Sequence, residues 1–249
     1  MGGSRIEREA EFHDQAFAQS TRQAAKKYYV GVAGIKRFYH RLIEANAGGA
    51  RALGIGVGLG GHAFELVELG ARVAGIDISE VGVANARARV AAAGLSERLE
   101  FHVMDAEALE FPDRSFDLVY GSGILHHLDI SKVAREICRV LKEDGRGVFF
   151  EPLGHNPLIN LYRRLTPNMR TEDEHPLRVE ELELLAGHFA CARMDYAGLL
   201  AILAAPLGPL PGGGIALRVL ESLDRVLLKL PFLRRYAWIV VLQLERPRG

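Results

Sequence analysis

From Arg51 to Glu151 five short apolar runs, "RALGI", "GARVAGIDIS", "LEFHVMDA", "FDLVYGSG" and "GRGVFFEP", are spaced by stretches of helical periodicity. This alternation limits the fold more than any other feature. A strand joined to the next parallel strand needs a crossover, and a helix packed back on the sheet supplies it with one hand. The pattern predicts an α/β fold with a doubly wound, mostly parallel sheet. Ser79 is placed to cap the Ala-rich helix that runs to Gly94, and a second helix spans Ser131 to Leu141. Two helical stretches follow, then a strand at Ala192 to Tyr196 and a long β-branched run, "YAWIVVLQLER". That last strand is expected to insert antiparallel at the sheet edge. Ahead of the first strand, Phe12, Ala16 and Phe17, then Ile35, Phe38, Tyr39, Leu42 and Ile43, recur at three-and-four spacing and read as helices.

Composition narrows the partners. Lys+Arg and Asp+Glu number 31 each in 249 residues, so no global field favours a nucleic acid, and none is expected as partner. Cys138 and Cys191 lie far apart, which gives neither zinc-ligand spacing nor a disulfide framework and fits a cytoplasmic protein. The opening "MGGSRIEREAEFHDQ" turns charged where a secretory leader would be apolar. Residues Tyr196 to Leu217 carry no charge, but Pro206, Pro209, Pro211 and Gly212 to Gly214 interrupt them, so one spanning helix is not predicted.

The first run continues as "RALGIGVGLGG", in which Gly56, Gly58 and Gly61 satisfy G-x-G-x-x-G, and Asp77 ends the next strand about twenty residues on. A dinucleotide would suit these features alone. Asp105 and Ala106 change the reading. They end the third strand, where a carboxylate can accept from an adenine amino group while a backbone N–H meets a ring nitrogen, and His126 and His127 follow the fourth.

With these motifs the chain resembles the class I S-adenosylmethionine-dependent methyltransferases, of the small-molecule and quinone-biosynthesis branches. "LHHL" and "EPLGHNPLINLYRRLTPNMRTEDEHPL" add to the likeness. The resemblance implies a Rossmann-like domain over 47–249, with a helical insert at about 197–234, beneath an N-terminal helical lid over 1–46. It implies S-adenosyl-L-methionine as cofactor. Gly56, Gly58 and Gly60 would lie against its methionine part, Asp77 would hold both ribose hydroxyls, Ile78 would flank the adenine, and Asp105 and Ala106 would read it. Tyr28 is placed to close over the cofactor.

Gly54 departs from the family pattern, in which an Asp or Glu stands near the methionine amino group. Glu9, Glu11 and Asp14 on the lid are the candidates to replace it. On the acceptor side, His127 is expected as general base, with Glu151 and His155 beside it at the carboxyl edge of the sheet. No metal is predicted, since neither His13 with Asp14 nor His175 with Asp173 and Glu174 has tight ligand spacing. The insert reads as amphipathic, with Leu220, Leu223, Leu227 and Leu230 on one side. Covering the sheet explains that side, and a peripheral membrane contact is the alternative. The function expected is methylation of a small, apolar or aromatic acceptor on oxygen or nitrogen. Its rivals are another S-adenosylmethionine chemistry on the same fold, such as metal-assisted quinone amination, and a non-catalytic protein that binds the cofactor or a lipid. Oligomeric state is not legible.

Overall fold

The computed structural model describes residues 5–19, 32–165, 175–207 and 212–248. Two helices come first, α1 (Arg5–Gln19) and α2 (Ala33–Glu44). The alternating part follows as β1 (Arg51–Ile55), α3 (Ala63–Glu68), β2 (Arg72–Asp77), α4 (Glu80–Ala93), β3 (Leu99–Val103), β4 (Phe116–Ser122), α5 (Ile130–Val140) and β5 (Leu141–Pro152). Beyond it lie α6 (Pro157–Leu165), α7 (Val179–Gly187), β6 (Phe189–Ala197), α8 (Gly213–Leu227), α9 (Pro231–Arg234) and β7 (Ile239–Pro247). Tyr28, expected over the cofactor, lies outside the described residues, as do Asp173 and Glu174.

Seven strands form one sheet in the order β3, β2, β1, β4, β5, β7, β6. The first five pair parallel, and β7 pairs antiparallel with both β5 and β6. The last strand therefore lies inside the sheet, and β6 takes the edge expected for it. Burial explains the difference. Ile239 to Leu242 are buried in succession and Leu244, past the half-buried Gln243, is buried too, the pattern of a strand covered on both faces, whereas β6 carries Arg193 and Asp195, which suit an edge.

The helices end where their chemistry dictates. Ser79 accepts from the Gly82 N–H at the start of α4, and Gly94 closes it in the left-handed conformation. Asp129 caps α5, whose Val133, Ala134, Ile137 and Val140 form one buried stripe. Alternate residues of β1 feed two cores. Leu53 and Ile55 pack with α5 and α7, and Ala52 packs with α2, α3 and α4.

Candidate active site

Strand order reverses between β1 and β4, and the crevice above their carboxyl ends is where ligands bind in open α/β sheets. A cavity of about 70 Å³ opens there. Its floor is set by backbone. Gly56 has φ +65°, and a Cβ on it would lie 2.6 Å from Ile124, so only glycine fits the turn. Asp77 Oδ2 accepts from the Gly58 N–H at 2.7 Å, and Oδ1 from the Ser79 N–H at 2.9 Å. Each oxygen keeps acceptor capacity toward the cavity that Asp77 lines. Ile78, Asp105 and Ala106 line it too, and Asp105 Oδ1 is held by the Glu107 N–H at 2.8 Å. Gly58 and Gly60 shape the loop without lining the cavity.

Gly54 has a physical explanation that differs from the one expected. In the parallel register it stands opposite Tyr120 on β4, and a Cβ on it would come within 2.8 Å of the Tyr120 hydroxyl and 2.6 Å of Val57. The place of the missing carboxylate is filled by a tyrosine ring, and glycine is what admits it. The hydroxyl is buried with no hydrogen-bond partner among the described residues, and burial, with a smaller contribution from Glu65, holds it neutral by raising its pKa. Of the three lid acids, Glu9 alone reaches the cavity. Glu11 is exposed, and Asp14 accepts from the Ser79 hydroxyl and, at 3.2 Å, from the Val81 N–H.

The far wall is a short 3-10 turn, Leu125–His127, held by Glu151. Glu151 is fully buried. Its Oε1 accepts from the N–H groups of Ile124 and Leu125 at 2.9 and 3.0 Å, and its Oε2 lies 2.9 Å from His126 Nδ1. The carboxylate spans the ends of β5 and β4 and turns His127 into the cavity. His155 lies outside the cavity lining, with Nε2 buried and without a hydrogen-bond partner among the described residues.

The roof is α1, which contributes Arg5, Glu9 and His13 at four-residue intervals, one face of a helix. Glu9 is buried, and its Oε2 lies 3.1 Å from His127 Nδ1 and 3.5 Å from His13 Nε2. Among the described residues these three form a group whose ligating atoms lie within 4.8 Å of one another, so they could hold a metal ion. Arg5 latches the helix down by donating to Glu107 and, at 2.6 Å, to the His127 carbonyl. Burial pushes the Glu107 pKa up, but the Asp129 N–H, the Arg5 guanidinium and Lys132 together hold it below the ordinary glutamate value. Sequence reading missed Arg5 and Glu107. The spacing of Arg5, Glu9 and His13 was the available signal.

The group implied by the fold fits these residues. Carboxylates of Glu9, Asp77 and Asp105 line the cavity against one guanidinium, a balance that suits a ligand carrying a sulfonium and an ammonium.

Comparison with known proteins agrees. Residues 53–149 match the family model described as a methyltransferase domain. Sterol 24-C-methyltransferase ERG6B of Gibberella zeae is 40% identical over 99 residues, 39% of this chain and 26% of that protein. The ubiquinone/menaquinone biosynthesis C-methyltransferase UbiE of Geobacter sulfurreducens is 34% identical over 121 residues, 47% of this chain and 46% of that protein. The match to these curated relatives thus spans less than half of their length. Among solved structures, the YcgJ protein of Bacillus subtilis superposes with a TM-score of 0.57 at 20% identity, over 85% of this chain and 98% of that one, which shows the fold. Over residues 53–149 the chain carries a class I, S-adenosylmethionine-dependent methyltransferase domain.

Proposed function

We propose that the chain transfers the methyl group of S-adenosylmethionine to a small, apolar or aromatic acceptor, on oxygen or nitrogen. The observation that carries this reading is one cavity that joins Asp77 and Asp105–Ala106 on its floor to His127 on its wall. The cofactor supplies an activated methyl, so the protein's part is alignment, exclusion of water and disposal of a proton. Asp77 would hold the ribose and Asp105 the adenine. Helix α1 covers the cavity and shields it from water. His127 would take the proton from the acceptor's nucleophilic atom, with its ring held between Glu9 and the turn that Glu151 anchors. Glu151, fully engaged, acts as a positioning residue. Carbon acceptors stay in range, because the relatives' names are those of sterol and quinone C-methyltransferases. A cytoplasmic location belongs to the same reading.

The test is to incubate the protein with methyl-labelled cofactor and a small-molecule extract. Label in a low-mass product with equimolar S-adenosylhomocysteine is expected. Cofactor consumed without labelled product would overturn methyl transfer.

The cluster of Glu9, His13 and His127 favours a second reading, in which a divalent metal assists a different use of the cofactor. Turnover that requires added metal and releases no S-adenosylhomocysteine would select it.

A further inference from the structure

Helix α8 is apolar on two sides, and the described residues cover only one. Its inward side is fixed by Asp224, a buried carboxylate that accepts from the N–H groups of Leu199, Leu200 and Ala201 at 2.7 to 3.2 Å. Leu217, Leu220 and Leu227 turn toward the protein with it and are half-buried. The opposite side carries Ile215, Val219, Leu223 and Val226, which are 63, 53, 45 and 63% exposed. At 3.6 residues per turn these four fall within an arc of about 80°. The stripe continues past the helix in Leu230, at 44%, and in Phe232 on α9, at 66%. Leu223 and Leu230, expected on the covered side, thus belong to the exposed one.

Cations border this stripe. Arg218, Arg225 and Lys229 are exposed and recur at intervals of seven and four residues along one flank, and Arg235 is exposed beyond Phe232. None of the four pairs with a carboxylate among the described residues. Asp224 is buried and committed to the loop, which leaves Glu221 as the acidic side chain on α8 not so committed. An apolar stripe edged by long basic side chains suits an interface where carbon sinks into lipid and charge meets anionic headgroups. A second copy of the chain would bring the same cations against one another.

Position ties this surface to the cavity. Strands β4 and β5 run parallel, β6 runs in the same direction through its antiparallel partner β7, and the loop that Asp224 holds leaves the carboxyl end of β6. The last turns of helix α8, which carry Asp224, therefore pack at the sheet edge on which the cavity opens.

We propose that the exposed face of α8 and α9 docks on an anionic membrane surface, and that the acceptor is an amphiphile taken from that bilayer. The second half rests on the methyl-transfer reading, and the docking does not. No helix among the described residues is long and apolar enough to cross a membrane, so the contact is peripheral.

Vesicle co-sedimentation of the whole chain tests the docking. Phosphatidylcholine vesicles containing phosphatidylglycerol are expected to bind it, with affinity falling as salt rises, and pure phosphatidylcholine vesicles to bind it at least tenfold less. Two variants separate the contributions, I215S/V226S/F232S for the stripe and R218Q/R225Q/K229Q for the flank. The first should lose binding to both vesicles, and the second should lose the salt-sensitive part. Both should keep wild-type affinity for S-adenosylhomocysteine, so loss of docking is read apart from loss of the cofactor site. Absent vesicle binding by wild type, or binding unchanged in both variants, overturns the proposal. So does a concentration-dependent dimer, seen by sedimentation velocity, that the stripe variant abolishes.

Discussion

The floor and the roof of the cavity are built by different means. The floor is strand ends and a glycine turn, in which Asp77, Asp105 and the loop are tied together by backbone N–H groups. The roof is one helix joined to the body mainly by side chains, Arg5 to Glu107 at one end and Asp14 to Ser79 at the other. Backbone anchors share the stability of the whole sheet. Side-chain latches open at the cost of a few polar contacts, each worth about 0.5–1.5 kcal/mol, or 1.5–3 where charged. The floor is thereby suited to fixed recognition of a cofactor, and the roof to admitting and enclosing an acceptor.

The sharpest way to break this division is His127→Ala. Turnover should fall by roughly 10²–10⁴, the range for a lost general base, while S-adenosylhomocysteine affinity changes little. Equal rates in the two proteins would remove His127 from the acceptor side. Next comes Gly54→Glu. Because a side chain there collides with Tyr120 and Val57, stability should fall by about 1–3 kcal/mol, read as a Tm lower by roughly 2–4 °C per kcal/mol. Tighter cofactor binding with an unchanged Tm would show that the notch is open to a carboxylate after all.

Smaller effects are expected at the roof. Arg5→Ala and Glu107→Gln should each weaken closure by up to about tenfold in acceptor KM, since a charge-assisted bond that is partly solvated is worth about 1 kcal/mol or a little more. A double variant no worse than either single one would confirm that they act as a pair. The smallest effect is in pH. The Glu107 pKa is lowered in the folded protein, so its stabilisation is complete above the unfolded glutamate value, about 4.3, and is lost as pH falls through the folded value. The Tm gap between wild type and Glu107→Gln should therefore be full near pH 6 and close at acid pH. A gap that widens on acidification would contradict the latch.

Legibility followed the same division. The floor could be read from sequence because glycines, strand-end acids and apolar alternation are local signals, and Gly56, Asp77, Ile78, Asp105 and Ala106 all line the cavity. The roof is a tertiary contact. Nothing local to α1 says that Arg5 meets Glu107, which stands 102 residues away, or that Glu9 meets His127. Glu151 reads as a reacting acid because it stands near a strand end at the right edge, yet both of its oxygens are engaged by the turn that follows β4. The inside position of β7 was also legible in principle, since its unbroken apolar run differs from the mixed run of β6. Gly54 is anomalous in the sequence itself, but its cause lies on the neighbouring strand, where Tyr120 needs the room.

The most direct measurement is calorimetric titration of S-adenosylhomocysteine into wild type and Asp77→Ala, with NAD as control ligand. Wild type should bind S-adenosylhomocysteine at one site and NAD not at all. Asp77→Ala, with its melting transition checked, should bind roughly a hundredfold more weakly, since the ribose loses two charge-assisted bonds of about 1.5–3 kcal/mol each, partly recovered by water. A folded Asp77→Ala protein with wild-type affinity, or a wild type that prefers NAD, would contradict the assignment of this cavity to S-adenosylmethionine.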